Sequence, residues 1–319
     1  MSIQWFPGHM HKADKEMAAA LPDVDVVIEV IDARLPFSSS NPALDTRIGT
    51  LPRLRIMTRA DLADPELTET WLTALADAGQ TAIAIRTDDV DRVRLVPEQL
   101  RELLPRNPDG RVAPRIGPRT VMVAGIPNVG KSTLINRLAG RTIAKTGNEP
   151  AVTKRQQTVP IGEGWVLRDT PGVMWPKVEN PASGFRLAAS GAIRDTAMDS
   201  GEVAAELLDY LRLAYPTLLF ARYGEALPLH ESVATLEAIG QSRGCLGGGG
   251  LVDFDRAGRL LLTEFRQGTL GRITLETPAM RDAELIETEA RRARIEAKRL
   301  ARRESRRDQR RARSRKGHS

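Results

Sequence analysis

Gly-Ile-Pro-Asn-Val-Gly-Lys-Ser occupies residues 125–132, and its reading decides the fold. Gly125 and Gly130 permit a tight turn that aims backbone N–H groups at phosphate oxygens. Asn128, Val129 and Thr133 would line the same loop. Lys131 can set its ammonium between the outer phosphates of a nucleotide, and the Ser132 hydroxyl can ligate Mg²⁺. Apolar residues 120–124 read as a strand, and residues 131–138 begin a helix whose positive end faces the phosphates. A glycine turn before Lys-Ser also arises by chance. Strand, glycine loop and helix in this order form the context a phosphate loop needs.

Downstream, residues 164–168 predict another strand, followed by Asp169-Thr170-Pro171-Gly172. An acidic residue there can hold the magnesium shell, and the Gly172 N–H can sense the γ-phosphate. Thr153, in the intervening loop, can add a second hydroxyl ligand and report whether the γ-phosphate is present. The competing reading of Asp-Thr-Pro-Gly is an ordinary turn, since Pro-Gly is a common turn signal.

Upstream, residues 24–31 read as a buried strand and residues 54–57 as a second, leading into Thr58-Arg59-Ala60-Asp61. The Asp61 carboxylate can accept from guanine N1–H and N2–H₂, whereas adenine offers no donor at that edge. The bland alternative is an aspartate capping the next turn or helix. A base-reading loop placed before the phosphate loop implies a circularly permuted GTPase. Asp64-Pro65 starts a predicted helix reaching about residue 78, residues 81–85 form a third strand, and Pro97 limits a helix near 91–103. The fold class expected is α/β: a permuted phosphate-loop domain with a parallel-rich sheet, a small helical domain and a basic tail. The boundaries follow as 1–180, 181–280 and 281–319.

Charge is distributed unevenly. Residues 291–316 hold 14 Arg and Lys against three acidic residues, a local +11, so a chain of net +6 leaves −5 elsewhere. Arg302-Arg303, Arg306-Arg307 and Arg310-Arg311 recur every four residues, which on a helix gathers charge along one side. Such a tail suits RNA phosphates; a solvated, disordered tail is the alternative reading. No apolar run approaches a membrane span and the N-terminus lacks a hydrophobic leader, so a cytoplasmic protein is expected. Cys245 is the single cysteine, which rules out an intrachain disulfide or a cysteine metal cluster.

With these motifs located, the chain resembles the YlqF/RbgA group of ribosome-assembly GTPases, a circularly permuted class. Residues 3–10 (Ile-Gln-Trp-Phe-Pro-Gly-His-Met), Asp32-Ala33-Arg34-Leu35-Pro36, Asn41-Pro42, the loop at 125–132, residues 169–177 and Gly268-Thr269-Leu270-Gly271-Arg272 carry the resemblance. It implies binding of GTP and GDP with Mg²⁺, assistance to late maturation of the large ribosomal subunit, and contact with ribosomal RNA. It implies His9 as the group that orients water, because Val173 stands where classical Ras-like GTPases usually carry glutamine; a structural histidine beside Gly8 is the alternative. It also implies a K⁺ site at Asn128, for which an ordinary loop hydrogen bond is the alternative.

The guanine side departs from the family pattern. Thr58 and Arg59 replace Asn and Lys, Arg86-Thr87 stands where Ser-Ala is usual, and Ala151 replaces a glycine. These changes predict weaker guanine binding than the phosphate side suggests, at ~1 kcal/mol for each lost buried hydrogen bond. The runner-up function is therefore a nucleotide-responsive RNA-binding scaffold with weak or no GTPase activity.

Overall fold

The computed structural model describes residues 17–86, 88–142, 158–169, 180–193 and 198–316. Six strands form one sheet in the order β3-β2-β1-β4-β6-β5. They are β1 (Val26–Asp32), β2 (Arg53–Thr58), β3 (Thr81–Ala84), β4 (Arg119–Ala124), β5 (Thr158–Gly162) and β6 (Trp165–Asp169). All neighbours pair parallel except β5 with β6. Every residue of β1 is buried, as its near-continuous apolar run requires of a central parallel strand covered on both faces. Mid-strand Glu29 accepts from Arg55 Nε at 2.9 Å, Ser40 Oγ at 2.8 Å and Asn41 N at 3.1 Å.

The chain runs from β1 to β2 and β3 on one side, then crosses to β4 on the other. The order therefore reverses between β1 and β4, and ligands of open α/β sheets bind beyond the strand carboxyl ends at such a reversal. Asp32 and Thr58 are paired in register at that edge, and Val123 pairs with Asp169.

Helices follow their capping signals. The Pro65–Asp77 helix starts at Asp64, whose carboxylate accepts from Glu66 N and Leu67 N. The helix expected near 91–103 divides into Val90–Arg94 and Val96–Glu102, with Leu95 ending one and opening the other. Pro97 lies in the first turn of the second, where its missing N–H costs nothing. Three helices escaped the sequence reading: Pro42–Ile48, Pro181–Ser190 and Pro216–Tyr223. Each opens on proline, and the first two are capped by Asn41 and Asn180. β5 escaped too, because Pro160 argues against a strand; it is tolerated on this edge.

Beyond the sheet, the Ser200–Ala214 helix packs against Pro181–Ser190, Ser232–Ser242 and Phe254–Gln267. Gly258 allows the last of these contacts, since a Cβ there would overlap the Ser200 carbonyl. Buried side chains of β1, β2, β4 and these helices belong to one continuous core. Residues 1–277 accordingly form one compact unit and residues 278–319 another. Within the second, Pro278–Lys316 is a helix whose residues 291–302 are all exposed. No described helix is long and apolar enough to cross a membrane.

Candidate functional site

The loop leaving β4 has the shape its glycines predicted. Gly125 has φ 153°, and a Cβ there would come within 2.5 Å of the Val30 carbonyl oxygen, so only glycine lets the loop pass beside β1. Gly130, at φ 98°, opens the Lys131–Leu138 helix. Ser132 and Thr133 occupy its first turn, half-buried, and Val129 is buried. Lys131 Nζ donates back across the loop to the Ile126 carbonyl.

Thr58, which ends β2, and Arg59, which opens the loop after it, fasten that loop to this phosphate loop. Thr58, 1 % exposed, donates its hydroxyl to the Val129 carbonyl at 2.5 Å, with the Ile31 carbonyl at 3.1 Å as the other acceptor within reach. The Arg59 guanidinium donates to the Asn128 carbonyl at 2.6 Å and to Asp32 Oδ2 at 3.0 Å. Arg59 and Asn128 are both left-handed, at φ 59° and 60°, a conformation costing non-glycine residues about 1 kcal/mol or more. Their mutual hydrogen bond helps hold both. Thr58 thus keeps a tether between the two loops without the carboxamide. Arg59 spends its guanidinium on the phosphate loop, so packing against a base would fall to its aliphatic stem.

Asp32, which the sequence reading placed only in a motif block, anchors this arrangement. Its carboxylate accepts from Arg34 Nε at 3.0 Å, Arg34 Nη2 at 2.8 Å and the Arg34 N–H at 3.0 Å, besides Arg59. Burial alone would raise its pKa, but Arg34 and Arg59 together outweigh burial and bring it down to about 2. Burial lowers the Arg59 pKa more than Asp32 raises it, yet a guanidinium stays cationic at any working pH. An Asp-x-Arg pair directly after a wholly buried strand was the available signal, because a buried Arg needs a carboxylate.

The Asp61 carboxylate is half-buried, and its Oδ1 is buried with no hydrogen-bond partner among the described residues. A buried carboxylate oxygen left this way is costly unless a donor reaches it from outside the chain. The guanine N1–H and N2–H₂ edge is such a donor pair. Asp64, not Asp61, caps the following helix. Arg86 lies in the loop after β3, whose Ile85 carbonyl accepts from Ala60 N at 3.4 Å. Its guanidinium is exposed and turned to Asp88, with both contacts at 3.2 Å.

Asn128 Nδ2 donates to the Gly191 carbonyl at 2.8 Å, the ordinary loop hydrogen bond that stood against the K⁺ reading. That bond uses the amide nitrogen; a K⁺ would call on the side-chain oxygen. The backbone of Asp169 ends β6 beside Val123 of β4. The Asp169 side chain, His9, Thr87, Thr153, Gly172 and Val173 lie outside the described residues. Among the described residues no three His, Cys, Asp or Glu side chains gather as a metal cage. A Mg²⁺ here would rest on Ser132, its partners and the nucleotide's own oxygens, the usual habit of that ion.

A family model described as "50S ribosome-binding GTPase" matches residues 120–205. The "Ribosome biogenesis GTPase A" of Bacillus cereus is 44% identical over 280 residues, covering 87% of this chain and 95% of the relative. The chain belongs to the ribosome biogenesis GTPase A family. The "Mitochondrial ribosome-associated GTPase 1" of Mus musculus is 32% identical, over 86% of this chain and 90% of that protein. The GNP-bound YlqF from T. maritima has the same fold, with a TM-score of 0.61 at 24% identity over 84% of this chain and 98% of that one. Membership in this GTPase family agrees with the permuted order: the candidate base-reading loop follows β2, the phosphate loop follows β4, and β1 lies between them in the sheet.

Proposed function

We propose that this GTPase binds GTP over ATP through Asp61, hydrolyses it with Mg²⁺, and uses the cycle to bind and leave an assembling large ribosomal subunit. One observation carries the base assignment: the buried Oδ1 of Asp61, without a hydrogen-bond partner among the described residues, in a loop fastened to the phosphate loop by Thr58 and Arg59. These two tethers argue against the scaffold reading, whose premise was a guanine side weakened by the same two substitutions. Arg86, the Arg59 stem and Thr87 would complete the base surround.

On the phosphate side, backbone N–H groups of residues 128–133, Lys131 and the helix end neutralise the phosphates. Ser132, Thr153 and the Asp169 carboxylate would hold Mg²⁺, which supplies charge neutralisation between the outer phosphates. Gly172 would sense the γ-phosphate. His9 would orient the attacking water when the protein is on the subunit, and K⁺ near Asn128 would add positive charge at the transferring group. The Arg-rich residues 291–316 would meet ribosomal RNA phosphates.

The test is equilibrium binding and turnover of GTP and ATP by the full chain, in K⁺ or Na⁺, with and without large subunits. GTP preference, and turnover that subunits stimulate and His9→Ala abolishes without loss of GTP affinity, is the expected result. ATP preference refutes the assignment of Asp61. GTP binding without stimulated turnover returns the protein to the scaffold class.

A further inference from the structure

The segment Gly268-Thr269-Leu270-Gly271-Arg272 stands far from the phosphate and base motifs in sequence and takes no part in the chemistry above. In the fold it returns to the nucleotide site. Gly268, at φ 75°, ends the Phe254–Gln267 helix, and a Cβ there would come within 2.7 Å of Leu62 Cδ2. Gly271, at φ 112°, turns the chain again, its N–H donating to the Gly268 carbonyl at 3.0 Å. These two reversals deliver Arg272 to the loop that follows β2.

There Arg272 Nε donates to the Ala63 carbonyl at 2.9 Å and Nη2 to the Ala60 carbonyl at 3.0 Å. Ile273 N–H donates to the Leu62 carbonyl at 2.9 Å, and Thr274 Oγ1 accepts from Asp64 N at 3.1 Å. Carbonyls of an irregular loop need partners outside it, and Arg272 and Ile273 supply them on both sides of Asp61. One planar guanidinium spans from residue 60 to residue 63, so it fixes the path of the backbone carrying the Asp61 carboxylate. Arg272 is itself exposed, so its side chain contributes to this loop rather than to the core.

We infer that Arg272 is a positioning residue for base selection: by bridging the Ala60 and Ala63 carbonyls it holds Asp61 where it can accept from both guanine donors. This rests on the proposed role of Asp61. It makes guanine recognition depend on a residue contributed from beyond the helical region.

The full-length wild type, Arg272→Ala and Arg272→Lys would be titrated calorimetrically with non-hydrolysable analogues of GTP, ITP and ATP. Inosine lacks the exocyclic amine and offers Asp61 one donor; adenine offers none. In Arg272→Ala the preference for GTP over ATP should fall about tenfold and the preference over ITP should shrink, with ATP affinity held within about twofold. Arg272→Lys, whose ammonium lacks the planar fork, should fall between the alanine variant and wild type. Equal weakening toward all three analogues, or an unchanged GTP-to-ATP ratio in either folded variant, overturns the inference. Should the alanine variant fail to fold, the lysine variant decides by the same ratios. A wild type without GTP preference overturns the Asp61 reading and this inference together. A wild type that prefers GTP, with a variant that keeps the preference, overturns this inference alone.

Discussion

Replacing Asp32 by Asn tests the ion-pair cluster that joins β1 to both nucleotide loops. The carboxylate is 1 % exposed, Arg34 is fully buried, and Arg59 is the third member. The Asp32 pKa is about 2 in the folded protein against 3.8 for the free group. At about 1.4 kcal/mol per unit, the charged form contributes about 2 kcal/mol to stability at neutral pH. Asparagine keeps the shape but removes the charge and turns one acceptor into a donor facing a guanidinium. Leaving Arg34 buried without its carboxylate pushes the loss toward the roughly 3–5 kcal/mol seen when a buried pair is broken.

Urea unfolding of wild type and Asp32→Asn at pH 7 should therefore differ by about 2–4 kcal/mol. The pH dependence has a defined sign. A carboxylate whose folded pKa is depressed contributes fully above its unfolded pKa and loses that contribution as pH falls through the folded value. The charge-dependent part of the difference should thus be constant from pH 7 to about pH 5 and fall to about half by pH 3. GDP should also bind more weakly to the variant, because Arg59 loses the partner that aims it at the Asn128 carbonyl. A difference below about 0.5 kcal/mol at pH 7, or one undiminished at pH 3, refutes the reasoning.

Thr58→Val keeps the side-chain shape and removes the hydroxyl that reaches Val129; unfolding and GDP titrations should each show a loss of about 1–2 kcal/mol, and unchanged GDP affinity would deny the tether a role in binding. Glu276 is buried while accepting from Phe37 N and Ser38 N; burial raises its pKa above 4.5 despite Arg186 and those donors. Its contribution is therefore full below pH 4.5 and declines as pH rises, so Glu276→Gln should flatten the decline in unfolding midpoint that wild type shows between pH 4.5 and 7. Equal slopes in the two proteins would contradict this. Deleting residues 291–319 should weaken binding to ribosomal RNA by about tenfold or more at low salt and make it less salt-dependent; unchanged low-salt affinity would free the tail of that role.

The phosphate loop was legible because its chemistry is local. Gly125, Gly130, Lys131 and Ser132 are neighbours in the chain, and the strand and helix around them announce themselves by periodicity and by the glycines. The loop that carries Asp61 was legible for the same reason, directly after a short strand. Helices capped as Asn-Pro were lost because the local signal there is a turn, and only packing extends it.

The sequence by itself located a phosphate loop between a strand and a helix, a candidate base-reading loop before it, and an Arg-rich last segment. Only the tertiary structure decided what holds the two loops together. Thr58 meets Val129 across 71 residues of chain, and Arg59 meets Asn128 across 69. Arg272 reaches Ala60 across 212. Such partners are chosen by the order of strands in the sheet and by two glycine reversals, and no pattern within a short window encodes them. A substitution that looked like a loss in sequence, Thr58 for Asn, keeps its tether because β1, β2 and β4 bring a carbonyl within reach of a hydroxyl.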